Sequence, residues 1–173
     1  MITHNLDADL QAMRESLRRA RKKTGLTAKE AGLQTGLGFE YVVGMERGKH
    51  TDLRISTFVR VASLYRIPPY VILDEMLLAD CDPAGRLWDE YCELEAKSEF
   101  KPFILFVLSK RLAEKRLAIS SAQLELDRNV GMSEGQTNRI ERMNRDINIS
   151  TVFKYAHYFS CSASDLIHPT VYE

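Results

Sequence analysis

Residues 14–73 and residues 107–167 of this 173-residue sequence can be laid over one another, so the chain contains an internal repeat. The matches have offsets of 95 and then 94 residues: Met45-Glu46-Arg47 with Ile140-Glu141-Arg142, and Ile55-Ser56-Thr57 with Ile149-Ser150-Thr151. The change of offset means that one residue is lost in the loop between the two matches. A repeat of about 60 residues predicts two copies of one small unit, not one large core.

The composition is that of a globular protein, with 45% apolar and 28% charged residues. No apolar stretch approaches the roughly 20 residues that span a bilayer, and the first residues do not resemble a secretory signal. The three cysteines are widely spaced and match neither a disulfide framework nor a zinc pattern. We therefore expect a cytoplasmic protein with free thiols, no cofactor and no membrane partner.

The formal net charge is zero, with 24 basic and 24 acidic residues, but the charges are unevenly distributed. Residues 1–80 carry 12 basic and 10 acidic groups, residues 81–105 carry 3 and 6, and residues 106–173 carry 9 and 8. Two mildly basic units thus flank an acidic connector. The excess is small, so binding to a polyanion would depend on placed contacts more than on bulk charge.

The first unit is interpreted as a series of short helices. Asp7 or Asp9 is suited to cap a helix that runs to about Lys23, and Gly25 is suited to end it in the left-handed conformation. The segment Thr27-Ala28-Lys29-Glu30 is a capping box and starts a second helix.

Gly36 ends this second helix after about two turns, and a third helix runs from near Gly38 to before Gly48. Pro68-Pro69 separates a fourth helix from a short fifth helix over residues 70–78. The apolar positions that define the fourth helix at helical spacing are Phe58, Val61, Ala62 and Tyr65.

The second unit repeats this plan. Pro102 suits the first position of its first helix, and Asn148 suits the cap of its fourth. Ile104, Leu108 and Leu112 lie on one helix face. Hairpin signals such as Asn-Gly and Asp-Gly do not occur, so the sequence predicts an all-α fold.

Residues 79–101 predict a connector that contains one amphipathic helix. Leu87, Tyr91 and Leu94 recur at i, i+4 and i+7, and Trp88 is interpreted as a core or interface residue beside Tyr91. The predicted organisation is a first domain over residues 7–78, a connector over 79–101 and a second, divergent domain over 102–170.

The second and third helices of each unit form a helix-turn-helix, in which Gly36 and Gly131 supply the positive φ of the turn. The pattern also predicts the buried positions around each turn. These are Ala31, Leu37, Val42 and Met45 in the first unit, and Leu124, Met132, Thr137 and Ile140 in the second.

The segment from Leu26 to Lys49, with its Glu-Arg-Gly-Lys ending and the later Ala62, resembles the lambda-repressor-like, Cro-type (XRE) helix-turn-helix family. The resemblance is strong over about residues 10–75 and weaker from Ile119 to Leu166. It implies two tandem five-helix domains of bacterial or phage type. It also implies that the third helix of each domain enters the major groove of double-stranded DNA.

Carried over by position, the resemblance assigns DNA contacts in the first unit to Thr27, Ala28, Phe39, Glu40, Gly44, Arg47 and Lys49. Ala28 and Gly44 have no polar side chain. Glu40 could accept from cytosine but would repel phosphate, and Phe39 could touch a thymine methyl group. This set of side chains is poorly suited to sequence-specific reading.

The second unit offers better readers, because arginine pairs with guanine and asparagine or glutamine with adenine. Its candidate readers are Ser133, Glu134, Gln136, Asn138 and Arg139, and its candidate phosphate contacts are Ser120, Ser121, Arg142, Asn144 and Arg145. We expect this unit to contribute at least as much to specificity as the first.

Other conspicuous residues are given structural interpretations. In the family pattern Arg21 pairs with Glu46 behind the recognition helix, and Glu141 would be the counterpart, with Lys115 or Arg116. The basic run over residues 14–23 is either a phosphate patch or a solvated face. The four histidines show no metal spacing, and Cys161 is expected in the core because it occupies the position of Ile67. No catalytic constellation is recognisable, so an enzyme is not expected.

Two functions remain open at this point. The first is a sequence-specific transcriptional regulator of the repressor type, associated with the nucleoid, whose two units imitate a dimer on one operator. A homodimer would carry four units, and paired recognition helices would be about 34 Å apart. The alternative is an antitoxin or protein-interaction module, in which the first domain binds a toxin or another regulator and the second binds DNA.

Overall fold

The computed structural model describes residues 5–49, 52–100 and 102–169, and every regular element in these ranges is an α-helix. The N-terminal half contains α1 (Leu6–Lys23), α2 (Ala28–Thr35), α3 (Phe39–Glu46), α4 (Ile55–Tyr65), α5 (Pro69–Ile72) and α6 (Glu75–Asp80). After α7 (Arg86–Lys97), the C-terminal half contains α8 (Phe103–Ala118), α9 (Gln123–Val130), α10 (Gln136–Glu141), α11 (Ile149–Tyr158) and α12 (Ala163–Ile167). The prediction of an all-helical chain is confirmed for these residues.

The first helix boundaries agree with the sequence pattern except at one cap. The capping box between Thr27 and Glu30 is present, and Gly36 ends α2 in the left-handed conformation. The prediction that Asp7 or Asp9 caps α1 was wrong, because Asn5 is the N-cap and its side-chain oxygen accepts from the amides of Asp7 and Ala8. Asn5 adopts the extended backbone of an N-cap residue, whereas Asp7 and Asp9 already lie within the helix.

The predicted fifth helix over residues 70–78 is two helices. Asp74 adopts extended backbone after α5, and its carboxylate accepts from the amides of Met76 and Leu77 to start α6. The local cap therefore overrides the continuous apolar pattern. In the C-terminal half Pro102 is the N-cap of α8, not its first residue, and Asn148 occupies the N-cap position of α11 without a side-chain cap.

The core is continuous and draws buried residues from helices of both halves. Phe58, Val61, Ala62 and Tyr65 are fully buried, as their spacing predicted. Tyr91 of α7 is also buried, with its ring 5.9 Å from that of Phe103.

The predicted core position Leu124 was wrong, since it is 36% exposed while Leu126 is fully buried. Leu126 lies 95 residues after Ala31, so the offset of 95 extends into α9, where the sequence alignment was ambiguous. Leu37, Met132 and Cys161 are half-buried rather than core residues.

The two halves meet along a seam formed by residues 52–56 and 146–150. The Ile55 amide donates to the Ile147 carbonyl and the Ile149 amide donates to the Leu53 carbonyl, each at 2.8 Å. Asp146 accepts from the amide of Ser56 at 3.1 Å and from its hydroxyl at 2.6 Å. Each half thus supplies an acceptor to the first turn of a helix in the other half.

The reverse arrangement completes the seam. Asp52 accepts from the amide of Ser150 at 3.0 Å and from its hydroxyl. These exchanged carboxylates explain why neither Arg54 nor Asn148 needs a side-chain cap, because a helix N-terminus is satisfied by any well-placed acceptor.

Candidate nucleic-acid interface

The geometry of α2 and α3 is that of a tight helix-turn-helix. Gly32 of α2 faces the start of α3 so closely that a Cβ atom there would lie 2.5 Å from the Gly38 carbonyl carbon and 2.6 Å from the Phe39 nitrogen. The Gly38 amide donates to the Gly32 carbonyl at 3.1 Å. The absence of a side chain at Gly32 is therefore what allows α3 to approach α2.

The equivalent junction in the C-terminal half is built differently. Asp127, 95 residues after Gly32, is 1% exposed and its carboxylate reaches the start of α10. It accepts from the Gly135 amide at 2.8 Å, from the Thr137 amide at 2.7 Å and from the Thr137 hydroxyl at 2.6 Å. A carboxylate at a helix N-terminus satisfies the free amides and opposes the positive end of the helix dipole.

The Asp127 cluster extends into the core. The Tyr155 hydroxyl is hydrogen-bonded to that of Thr137 at 2.9 Å, and Thr137 is fully buried. Burial raises the pKa of Tyr155 to about 12, so its hydroxyl keeps its proton and can donate it to the network. This chain of bonds joins α9, α10 and α11 and fixes the position of α10.

An arginine–glutamate pair lies behind each of the helices α3 and α10. Arg21 pairs with Glu46 at 2.6 Å and donates to the Leu26 carbonyl at 2.7 Å. Arg116 pairs with Glu141 at 2.7 Å and donates to the Ser121 carbonyl at 2.9 Å. The arginine, the glutamate and the residue that supplies the carbonyl all recur 95 residues later. Lys115 and Arg116 were the two predicted partners of Glu141, and the structure identifies Arg116 as the partner.

The structure separates the first unit's predicted contact residues into an exposed and a covered group. Phe39 is 48% exposed, and Glu40, Arg47 and Lys49 are exposed too. Gly44 is buried and Ala28 is half-buried, while the Thr27 hydroxyl is engaged with Glu30. These bonds from Thr27 lower the pKa of Glu30.

A cleft of about 370 Å³ lies between α1 and α3 in the N-terminal half. Its walls contain apolar and basic groups: Arg18, Arg21, Ala28, Phe39, Val43 and Arg47, with Glu46. Arg21 and Glu46 pair with each other there, so Arg18 and Arg47 are the remaining basic groups of the cleft.

The second unit's predicted contacts are mostly exposed. The exposed group consists of Ser120, Ser133, Glu134, Arg139, Arg142, Asn144 and Arg145. Asn138 is half-buried and Ser121 is 6% exposed. Gln136 is only 7% exposed, and its side-chain oxygen accepts from Arg145 at 3.1 Å, so it orients Arg145.

Exposed cations follow both α3 and α10, and two of them, Arg54 and Arg145, lie together at the seam. Arg47, Lys49 and Arg54 precede α4, and Arg142 and Arg145 precede α11. Arg54 donates across the seam to the Asp146 carbonyl at 3.0 Å. A basic surface of this kind is what a phosphate backbone attracts.

Sequence reasoning did not identify Asp127, Arg54 or the pairing of Gln136 with Arg145. A signal for Asp127 was available, because a charged residue beside the apolar Leu126 interrupts the buried face of α9. Arg54 is an exposed residue whose neighbour across the seam is distant in sequence, so no local pattern could have identified it.

Within the described ranges no group of histidine, cysteine and acidic side chains is arranged to hold a metal ion. None of the helices there has the length and apolar character needed to cross a membrane.

The comparison with protein families concerns the N-terminal half. Residues 17–72 match the family described as Helix-turn-helix. The matched range contains α2, Gly36 and α3, and it marks these residues as a domain of the type found in DNA-binding transcription regulators. Searches of curated proteins and of solved structures found no match to the chain.

Proposed function

We propose that the protein is a sequence-specific, DNA-binding transcriptional regulator with two tandem helix-turn-helix domains, over residues 7–78 and 102–170. One observation carries the proposal beyond the matched range: the arginine–glutamate pair and its carbonyl partner recur behind α10 at an offset of 95 residues. A pair that is nine-tenths buried needs defined geometry on both sides, so its recurrence supports a second unit with the same helix arrangement.

The second unit is the better reader of base sequence in this proposal. Arg139 is exposed on α10 and its guanidinium can bond to both acceptors of guanine in the major groove. The Asp127 network holds α10 in place, which aids recognition because a reading side chain must be rigidly positioned. Arg142 and Arg145 then contact phosphates beside the bases that are read.

The repressor type follows from the simplest use of such a protein. A regulator that occupies an operator blocks other proteins at that site without any further activity. On this view the protein acts where the DNA is, in the nucleoid.

A second candidate function rests on the apolar character of the first unit's surface. Leu33 is 82% exposed on α2 and Phe39 is 48% exposed at the start of α3, beside the cleft between α1 and α3. Exposed large apolar groups favour protein contact over base reading. In this version the first unit binds a partner protein, such as a toxin or another regulator, and the second unit binds DNA.

The test is a DNA-binding titration at fixed salt with Arg139→Ala and a charge-matched control. Arg86 is a suitable control because it lies on α7, outside both units, where it pairs with Glu90 at the surface. Loss of Arg139 should cost about 1–3 kcal/mol of binding free energy and weaken base preference at one position. Arg86→Ala should leave both unchanged.

Two results would overturn the proposal. One is an Arg139→Ala affinity and base preference equal to those of the wild type. The other is the absence of salt-dependent binding of any duplex by the full chain, since phosphate contacts make affinity fall with salt. Binding of duplex by a Phe39→Ala variant with wild-type affinity would favour the partner-protein role for the first unit.

A further inference from the structure

The contacts in the seam are reciprocal. The hydrogen bond from the Ile55 amide to the Ile147 carbonyl is repeated at an offset of 94 residues by the bond from the Ile149 amide to the Leu53 carbonyl. The pairing of Asp146 with Ser56 is likewise repeated by that of Asp52 with Ser150. An interface in which residue i contacts j while the equivalent of j contacts the equivalent of i has the signature of a two-fold axis.

Two pairs of equivalent residues meet on this axis. Arg54 and Asn148, 94 residues apart, form an antiparallel bridge at its centre. Tyr70 and Ser164 are also 94 residues apart, and the Ser164 hydroxyl donates to the Tyr70 carbonyl at 2.9 Å. A residue can touch its own equivalent only on the axis, so these two contacts define its direction.

The two halves are joined over a broad surface as well as through the seam. Helix α1 packs against α11, α8 packs against α4, and α5 packs against α12. The carboxylate of Asp9 on α1 lies 2.6 Å from the His157 ring nitrogen on α11. The linkage between the halves is therefore a packed interface and not a flexible tether.

A two-fold axis keeps equivalent parts at the same height along it. Helices α3 and α10 are equivalent, and the loop after each of them leads into the seam. Both helices therefore lie at the same end of the two-fold axis. The exposed Arg54 and Arg145 line one surface depression at the seam, together with Ser133 and Gln136 beside the start of α10. One face of the molecule thus presents two candidate recognition helices and a basic centre together.

We infer that a single chain acts as a built-in pseudo-dimer, which binds both halves of one DNA site without a second copy. The inference rests on the proposed function. Because the seam's donors and acceptors are used within the chain, they are not available to a second copy. Because the reading residues of α3 and α10 differ, the site is an imperfect palindrome with two dissimilar half-sites.

The decisive experiment uses the wild-type chain and a duplex selected by that chain from a random library. Sedimentation or mass photometry should find one chain on each duplex. Inserting about 5 base pairs at the centre turns the half-sites to opposite faces of the DNA. Two rigidly packed halves of the protein cannot follow this rotation, so the affinity should fall at least about 100-fold, to that of a single half-site.

An insertion of about 10 base pairs, one full turn, distinguishes a packed pair from a tethered one. A packed pair gives the same loss as with the shorter insertion, whereas two tethered units recover much of the affinity. Two chains on each duplex, a loss of less than about 3-fold with the shorter insertion, or recovery with the longer one would overturn the inference. Failure to select any duplex would count against the proposed function instead.

A seam variant links the result to the named residues. Asp52→Ala combined with Asp146→Ala removes both exchanged carboxylates, and Asp89→Ala on the exposed face of α7 is the matched control. The double variant should lose at least about 10-fold in affinity for the full site but none for an isolated half-site. Equal full-site affinity of the two variants would contradict the role of the seam, and the insertion series stands whether or not the double variant folds.

Discussion

The carboxylate of Asp127 on α9 accepts from both the amide and the hydroxyl of Thr137 on α10, at 2.7 and 2.6 Å. Both residues are buried, and the same carboxylate also accepts from the Gly135 amide at 2.8 Å. This single side chain therefore satisfies the N-terminus of the helix that carries Arg139. The equivalent residue in the N-terminal half, Gly32, achieves a similar junction with no side chain at all.

Replacing Asp127 with alanine should lower the free energy of unfolding by about 3 kcal/mol, because the buried amide and hydroxyl of Thr137 and the half-buried amide of Gly135 lose their acceptor. The matched control, Asp89→Ala on the exposed face of α7, should change it by less than about 0.5 kcal/mol. Urea denaturation followed by circular dichroism measures both. Equal stability of the two variants would show that the Asp127 bonds contribute nothing.

Gly32→Ala should also destabilise the protein, against the usual rule for helices. Glycine in a helix interior is about 1 kcal/mol less favourable than alanine, so propensity alone predicts a gain. The new Cβ would lie 2.5 Å from the Gly38 backbone, which cannot move without displacing α3. We expect the steric clash to outweigh the gain in helix propensity, with a net loss of about 1–3 kcal/mol in the free energy of unfolding.

The control for this variant is Gln34→Ala, an exposed position on the same helix. It should leave the thermal unfolding midpoint almost unchanged. A higher midpoint for Gly32→Ala than for the wild type would mean that α2 and α3 are less closely packed than the structure shows.

Removing one partner of the buried Arg116–Glu141 pair should destabilise the protein strongly, whereas replacing both partners with apolar residues should not. Their side chains are 13% and 9% exposed, so Arg116→Met leaves a buried carboxylate without its partner, at a cost of about 3–5 kcal/mol. Replacing both residues with methionine should restore most of the loss, since no charge is then buried.

The Arg86–Glu90 ion pair lies at the surface and serves as an exposed control for the buried pair. These side chains are 90% and 48% exposed, and removing Arg86 should cost no more than about 0.5 kcal/mol. Chemical denaturation of the three variants and the wild type forms the test. If Arg116→Met and Arg86→Ala lose the same stability, burial does not govern the strength of these pairs.

Stability should depend on pH through His168. Its ring lies 4.2 Å from that of Tyr70, and burial lowers the pKa of His168 below its ordinary value of 6.5. The unfolded chain then binds a proton more tightly than the folded one, so the stabilising contribution is complete above pH 6.5 and is lost as the pH falls through the folded pKa.

An NMR titration of the histidine ring signals measures this pKa directly. His168→Gln should reduce the loss of stability on acidification from pH 7 to pH 5. A titration of His168 at or above its ordinary value would contradict the prediction.

The elements that the sequence predicted well are those with local signals. The capping box at Thr27, the positive φ of Gly36 and the apolar spacing of α4 are each set by residues within one or two turns. The pairing of Arg21 with Glu46 followed from the family resemblance, and the internal repeat carried it over to Glu141.

The remaining features depend on residues that are far apart in sequence. Asp52 and Ser150 are 98 residues apart, and neither has a local pattern that points to the other. The error at Leu124 has a related cause, since two leucines of α9 fit an apolar face and only tertiary packing selects Leu126. The seam and the Asp127 cluster could therefore be found only from the three-dimensional structure.

The central claim is that α3 and α10 read one DNA duplex together, and selection from a random DNA library by the full chain tests it most directly. Two readers on one duplex should enrich a site with two dissimilar halves, centred about 10 base pairs or 34 Å apart, of which Arg139→Ala changes only one. A library that shows no enrichment, or a single half-site without a second at fixed spacing, would contradict it.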